Sequence, residues 1–96
     1  MDSSIVEELW GVICERADSP SSDSYVSSVL NHRKGIDKSL EKLGEETTEY
    51  IISIKNGMKK EMLYEGADLL FHFLLSLKAA GITPEEIFQE LSSRRK

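Results

Sequence analysis

The sequence predicts an all-α fold, a helical bundle of about five helices per chain completed by homodimerisation. Apolar residues recur at three- and four-residue intervals along the 96 residues, the period of helices with one buried face. No segment shows the alternate-residue pattern of a strand. The pairing with a second copy rests on a third observation. From Leu69 to Leu77 the chain is apolar nearly all round, so that helix needs cover on two sides, its own core on one and a partner on the other.

Each element has its own signals. Ser4 and Glu7 have the spacing of a capping box, and Ile5, Leu9, Val12 and Ile13 mark an apolar face, which gives a first helix from 4 to about 17. Asp18-Ser19-Pro20-Ser21-Ser22-Asp23 is turn chemistry and reads as a linker. Asp23 or Ser24 then caps a short helix through about 31 that carries Tyr25, Val26, Val29 and Leu30. After a break at Arg33-Lys34-Gly35, a third helix runs from 36 to 56. Ile36, Leu40, Leu43, Tyr50, Ile51 and Ile54 are its apolar residues and Gly57 its stop. The fourth spans 59 to 80 and ends at Gly81. Thr83-Pro84-Glu85-Glu86 joins an N-cap, a proline at the first helical position and a capping-box glutamate, and opens a fifth helix reaching 91 or beyond. Arg94, Arg95 and Lys96 suit the negative pole of its dipole.

Composition narrows the function. Residues 1–96 read as a single domain whose 40% apolar content suffices for a core with limited stability to spare. A net charge of −5 argues against nucleic acid as a partner, although a bound metal can invert the local field and admit an anionic substrate. Cys14 is the only cysteine. It reads as a small core residue in a reduced, cytoplasmic setting. The polar start Met1-Asp2-Ser3-Ser4 and the lack of a long apolar run predict neither a signal peptide nor a membrane anchor.

The chemistry lies in five acidic residues. At about 100° per residue, Glu46 and Glu49 project on one side of the third helix, with Glu45 adjacent. Alone, these three read equally well as a solvated acidic face. Glu65 and Asp68 change the balance, because they sit in the apolar stretch from Met62 to Leu75, where an unpaired carboxylate costs several kcal/mol. Glu49 lies eight residues before Gly57 and Glu65 eight after, so an antiparallel hairpin brings Glu46 and Glu49 level with Glu65 and Asp68. Four converging carboxylates suit Mg²⁺, with Mn²⁺ as an alternative. A ferritin-like di-iron centre would want Glu-x-x-His, whereas His72 follows Asp68 by four. His72 reads either as a donor to the Asp68 carboxylate or as a core histidine. Gly44 and Gly66, inside helices beside acidic residues, read as points of close helix packing or of ligand approach.

Lys38 and Lys42 stand four residues apart on the face leading to the glutamates, with Arg33 nearby. Surface ion pairs would explain them without any function. Acid, metal and lysine together are also what a polyphosphate needs, with the ammonium groups neutralising the charge that a metal leaves. Lys55-Asn56 at the hairpin turn adds a weaker contribution of the same kind.

Lys42-Leu43-Gly44-Glu45-Glu46-Thr47-Thr48-Glu49, followed by Glu65-Gly66-Ala67-Asp68, resembles the E-E-x-x-E … E-x-x-D signature of the all-α nucleoside triphosphate pyrophosphatases. More narrowly the chain resembles the phosphoribosyl-ATP pyrophosphohydrolase family of histidine biosynthesis, on Ser24-Tyr25-Val26, Gly35, Lys38, Lys55-Asn56-Gly57 and Ala67-Asp68-Leu69-Leu70-Phe71-His72. The resemblance implies metal-dependent hydrolysis of phosphoribosyl-ATP to phosphoribosyl-AMP and pyrophosphate in an obligate dimer. It implies Glu46, Glu49, Glu65 and Asp68 as principal metal ligands, and Glu45 as ligand to a further metal or as the group that orients the attacking water, a role Glu46 exchanges with it. Two departures stand out. The segment Asn31-His32-Arg33-Lys34 is more basic than the pattern, and Thr47-Thr48 replace more apolar residues. The competing expectations are a pyrophosphatase for another nucleotide such as dUTP, and a helical dimerisation module without catalysis.

Overall fold

Local turn chemistry sets the helix ends. In the computed structural model, which describes residues 4–21 and 23–95, five helices follow one another: α1 (Ser4–Asp18), α2 (Tyr25–Leu30), α3 (Ile36–Asn56), α4 (Lys59–Ala80) and α5 (Pro84–Ser93). There is no strand among the described residues. Gly57 closes α3 in the left-handed conformation, φ 75°, which only glycine adopts without strain. Its N–H bonds to the Ser53 carbonyl at 3.1 Å. The next helix starts two residues later, so α4 returns along α3 as an antiparallel hairpin, the most extensive helix contact in the chain.

Gly81 ends α4 in the same conformation, and the bonds from Gly81 N to Lys78 O and from Ile82 N to Leu77 O complete a Schellman motif. Thr83 and Glu86 then cap each other across the start of α5, Thr83 N to Glu86 Oε1 at 2.9 Å and Glu86 N to Thr83 Oγ1 at 3.3 Å. Two expected ends shift. Ser4 already lies inside α1, and α1 runs through Asp18, one residue into the expected linker. Of the two expected caps of α2, Ser24 serves, accepting from Ser27 N at 3.1 Å. Met1, Asp2, Ser3, Ser22 and Lys96, with the readings of the polar N-terminus and the last basic residue, lie outside the described residues.

The core joins Ile13 of α1, Val26 and Val29 of α2, and Leu74, Leu75 and Leu77 of α4, with Trp10, Phe71, Phe73 and Ile87 packed around them. Cys14 is half-buried rather than a full member. α3 supplies none of these apolar residues. Its buried positions are Ser39, Glu46 and Ser53, spaced by seven, so its inward seam is two small hydroxyls flanking a carboxylate. Four of the six residues expected on its apolar face point outward, Ile36, Leu40, Ile51 and Ile54 each being about half exposed, while Leu43 and Tyr50 are half-buried. The reason is geometric, since the side of α3 that faces α4 is shared by the acidic residues and Tyr50. The close packing expected at Gly44 is not seen among the described residues, where an added Cβ would meet nothing within 4 Å. At Gly66 it would make an ordinary contact with the Tyr50 ring at 3.6 Å. No single helix among the described residues is long and apolar enough to cross a membrane.

Candidate metal centre

The hairpin brings two turns of helix face to face. Glu46 and Glu49 come from α3, Glu65 and Asp68 from α4, and one carboxylate oxygen of each lies within 4.8 Å of all the others. Glu46 is the deepest, only 8% exposed, and its Oε2 is buried without a hydrogen-bond partner among the described residues. An orphaned buried acceptor costs about 1–3 kcal/mol, more when charged, a cost that a cation held between the carboxylates would offset. Burial first, and then the facing Asp68 and Glu49 carboxylates, push the Glu46 carboxyl up to about 7. Glu65 is raised as well, by burial and then by Glu49 and Asp68. Glu46 and Glu65 are thus held among acids that disfavour their charge. A set of four hard oxygen donors on two rigid helices fits Mg²⁺ or Mn²⁺ and offers a thiophilic metal nothing.

Glu45 falls outside this group. One residue from Glu46, it is rotated toward solvent and pairs with Lys42, Nζ to Oε2 at 2.9 Å. Lys38 stands 3.8 Å from Glu41 and Lys34 3.0 Å from the same residue, while Arg33 is exposed in the turn before α3 and makes no ion pair among the described residues. The hairpin therefore unites the four principal acids, keeps Glu45 and Lys42 together beside them, and leaves Arg33 and Lys38 toward the N-terminal end of α3. A cleft of about 630 Å³ opens at Glu49 and Glu65 and is walled by Ile52, Asn56, Lys60 and Tyr64.

Of the two roles expected of it, His72 is placed as a buried, hydrogen-bonded histidine rather than as a donor to the Asp68 carboxylate, with one ring nitrogen within 4.8 Å of carboxylate oxygens of Glu46 and Asp68. It is 5% exposed, and its Nδ1 bonds to the Asp68 backbone carbonyl at 2.8 Å. Its Nε2 is 2.8 Å from the Tyr25 hydroxyl, and its ring meets those of Tyr25 and Phe71 edge-on. In the sequence Tyr25 reads as a residue of the short second helix and as part of a motif, with nothing to tie it to His72. Its partner stands 47 residues away, and the one local signal was a histidine one helical turn after an aspartate.

A helical hairpin that sets Glu-x-x-Glu against Glu-x-x-Asp defines the class of all-α nucleoside triphosphate pyrophosphatases. Within it, residues 6–95 match the family model described as phosphoribosyl-ATP pyrophosphohydrolase. Proteins named phosphoribosyl-ATP pyrophosphatase are similar over the full length: that of Methanoculleus marisnigri is 56% identical over 99% of this chain and 98% of its own. That of Methanoregula boonei is 51% identical over 100% and 92%, and that of Geotalea daltonii 47% over 98% and 87%. The chain belongs to the phosphoribosyl-ATP pyrophosphohydrolase family.

Proposed function

We propose that this protein hydrolyses phosphoribosyl-ATP to phosphoribosyl-AMP and pyrophosphate in histidine biosynthesis, in the cytoplasm and with Mg²⁺. The observation that carries the reading is the closed set of four carboxylates with a buried, unpartnered oxygen on Glu46, in a chain similar from end to end to proteins named for that activity. Glu46, Glu49, Glu65 and Asp68 hold the cation, which when bound supplies Lewis acidity toward the triphosphate and toward the attacking water.

The remaining work falls to side chains of the chain itself. Lys42, with Lys38 and more distantly Arg33, neutralises phosphate oxygens as charge shifts to the leaving pyrophosphate. Glu45 stands at the solvent side of the site, next to Lys42, where it aligns or deprotonates the water, a role that Glu46 can exchange with it. The expected result in a panel of phosphoribosyl-ATP, ATP and dUTP is metal-dependent pyrophosphate release from the first alone, abolished by chelator. Release from dUTP instead would keep the site and discard the substrate.

The working unit is a homodimer. Ile51, Ile52 and Ile54 of α3 and Leu63, Tyr64 and Leu70 of α4 are about half exposed or more, and an apolar surface of this extent on two adjoining helices is characteristic of an interface. Sedimentation equilibrium is expected to give twice the chain mass, and replacing Ile51 and Leu63 by glutamate to give a monomer. A monomeric parent chain would overturn the assignment.

A further inference from the structure

The four carboxylates and the cleft beside them share a wall. Glu49 and Glu65 belong to the converging acids, and the same two line the cleft of about 630 Å³. From them the cleft follows the hairpin toward its turn, with Ile52 and Asn56 on α3 and Lys60, Glu61 and Tyr64 on α4. Lys38 and Lys42 lie the other way, before Glu46 on α3. At about 1.5 Å per residue, Lys42 stands roughly 6 Å before Glu46 along the axis, and Asn56 roughly 10 Å beyond Glu49. A ligand held at the carboxylates by its phosphates therefore has ammonium groups at one end and a cleft at the other. Asn56 is too far along the helix to touch those phosphates, so the phosphate role expected of it gives way to another.

The chemistry of the cleft suits the part of a nucleotide that is not phosphate. With Glu49 and Glu65 committed to a cation, the remaining charges on its wall, Lys60 and Glu61, cancel, and a neutral group is favoured over an anion. The volume is that of a small-molecule site. Ile52 and Tyr64, half exposed or more, supply the apolar and aromatic surface that covers a planar base. Asn56 offers an amide that both donates and accepts, and its side chain has no hydrogen bond among the described residues. We propose that the cleft takes the nucleoside of the substrate, with Ile52 and Tyr64 against the base and Asn56 hydrogen-bonded to it as a specificity-determining residue. The α-phosphate then lies nearest the cleft, and the pyrophosphate departs on the Lys42 side. The inference rests on the proposed hydrolysis for the identity of the ligand. Ile52 and Tyr64 also belong to the apolar face assigned to the dimer, so the base lies at the rim of that interface.

The test compares two ligands by calorimetry on the full chain with Mg²⁺: inorganic pyrophosphate, and α,β-methylene-ATP, whose α–β bridge resists hydrolysis. Asn56→Ala, at the last position of α3, is expected to weaken the nucleotide about tenfold, one hydrogen bond, and to leave pyrophosphate unchanged. Equal losses for both ligands, or no loss for either, would overturn the proposal. So would a parent that binds pyrophosphate but not the nucleotide. A parent that binds neither would instead overturn the hydrolysis on which it rests. A second measurement needs no variant: the Ile52 methyl and Asn56 side-chain amide signals are expected to shift with α,β-methylene-ATP and to stay in place with pyrophosphate. Signals that ignore a bound nucleotide would equally defeat the inference.

Discussion

Asp68→Ala and, separately, Glu49→Ala are expected to lower pyrophosphate release by about a thousandfold or more, the equivalent of roughly 4 kcal/mol of transition-state stabilisation, while the helical circular dichroism is retained. Each carboxylate is one of four oxygens around a common centre, so its loss leaves the cation under-coordinated. The structural consequence runs the other way. Without metal the four acids repel, Asp68 and Glu49 being the charges that act on Glu46, and removing one relieves that repulsion. The metal-free variants should therefore melt no lower than the parent, which separates loss of a ligand from loss of fold. Near-normal turnover in both variants would sink the site assignment.

Glu46 gives the second large effect, on stability against pH. Its carboxyl is raised from 4.5 to about 7 in the folded, metal-free chain, first by burial. Between those values the unfolded chain has lost the proton and the folded chain keeps it, so stability falls as pH rises from about 4.5 to 7. A shift of this size corresponds to roughly 3 kcal/mol, several degrees or more in melting temperature for a domain of this length. Two results are expected from melting curves across that range in chelator: a downward slope for the parent, and a flatter one for Glu46→Gln. Saturating Mg²⁺ should remove the slope by supplying the missing positive partner and should raise the melting temperature by mass action. A parent whose stability climbs with pH in chelator would show that Glu46 is not held in the way described.

The parts of the fold legible in the sequence were those written in local chemistry. The ends of α3 and α4 fall at Asn56 and Ala80 because Gly57 and Gly81 stop them, and the convergence of Glu46, Glu49, Glu65 and Asp68 follows from their symmetric placement about that first stop. Direction was harder than periodicity. The pattern of Ile36, Leu40, Ile51 and Ile54 defines a face, but only the packed structure shows that it points outward and that Ser39, Glu46 and Ser53 point in. Glu45 and Glu46 are chemically identical neighbours in the sequence, separated by one 100° step of the helix, which buries one and pairs the other with Lys42. The Tyr25–His72 bond, between residues far apart in the chain, leaves no local mark beyond the histidine one turn after Asp68.

The four acids and the Tyr25–His72 pair differ in how far along the chain their contacts reach. Glu46 and Asp68 are 22 residues apart, on helices joined by a two-residue turn, so the cation site has low contact order and forms as soon as α3 and α4 zip together. Tyr25 meets His72 only after α2 has docked against the finished hairpin. Folding thus brings the four carboxylates together before the Tyr25–His72 bond closes, and local opening undoes the two in reverse. A chain that has transiently released α2 keeps its acids gathered on the hairpin while His72 loses the hydroxyl that holds its Nε2.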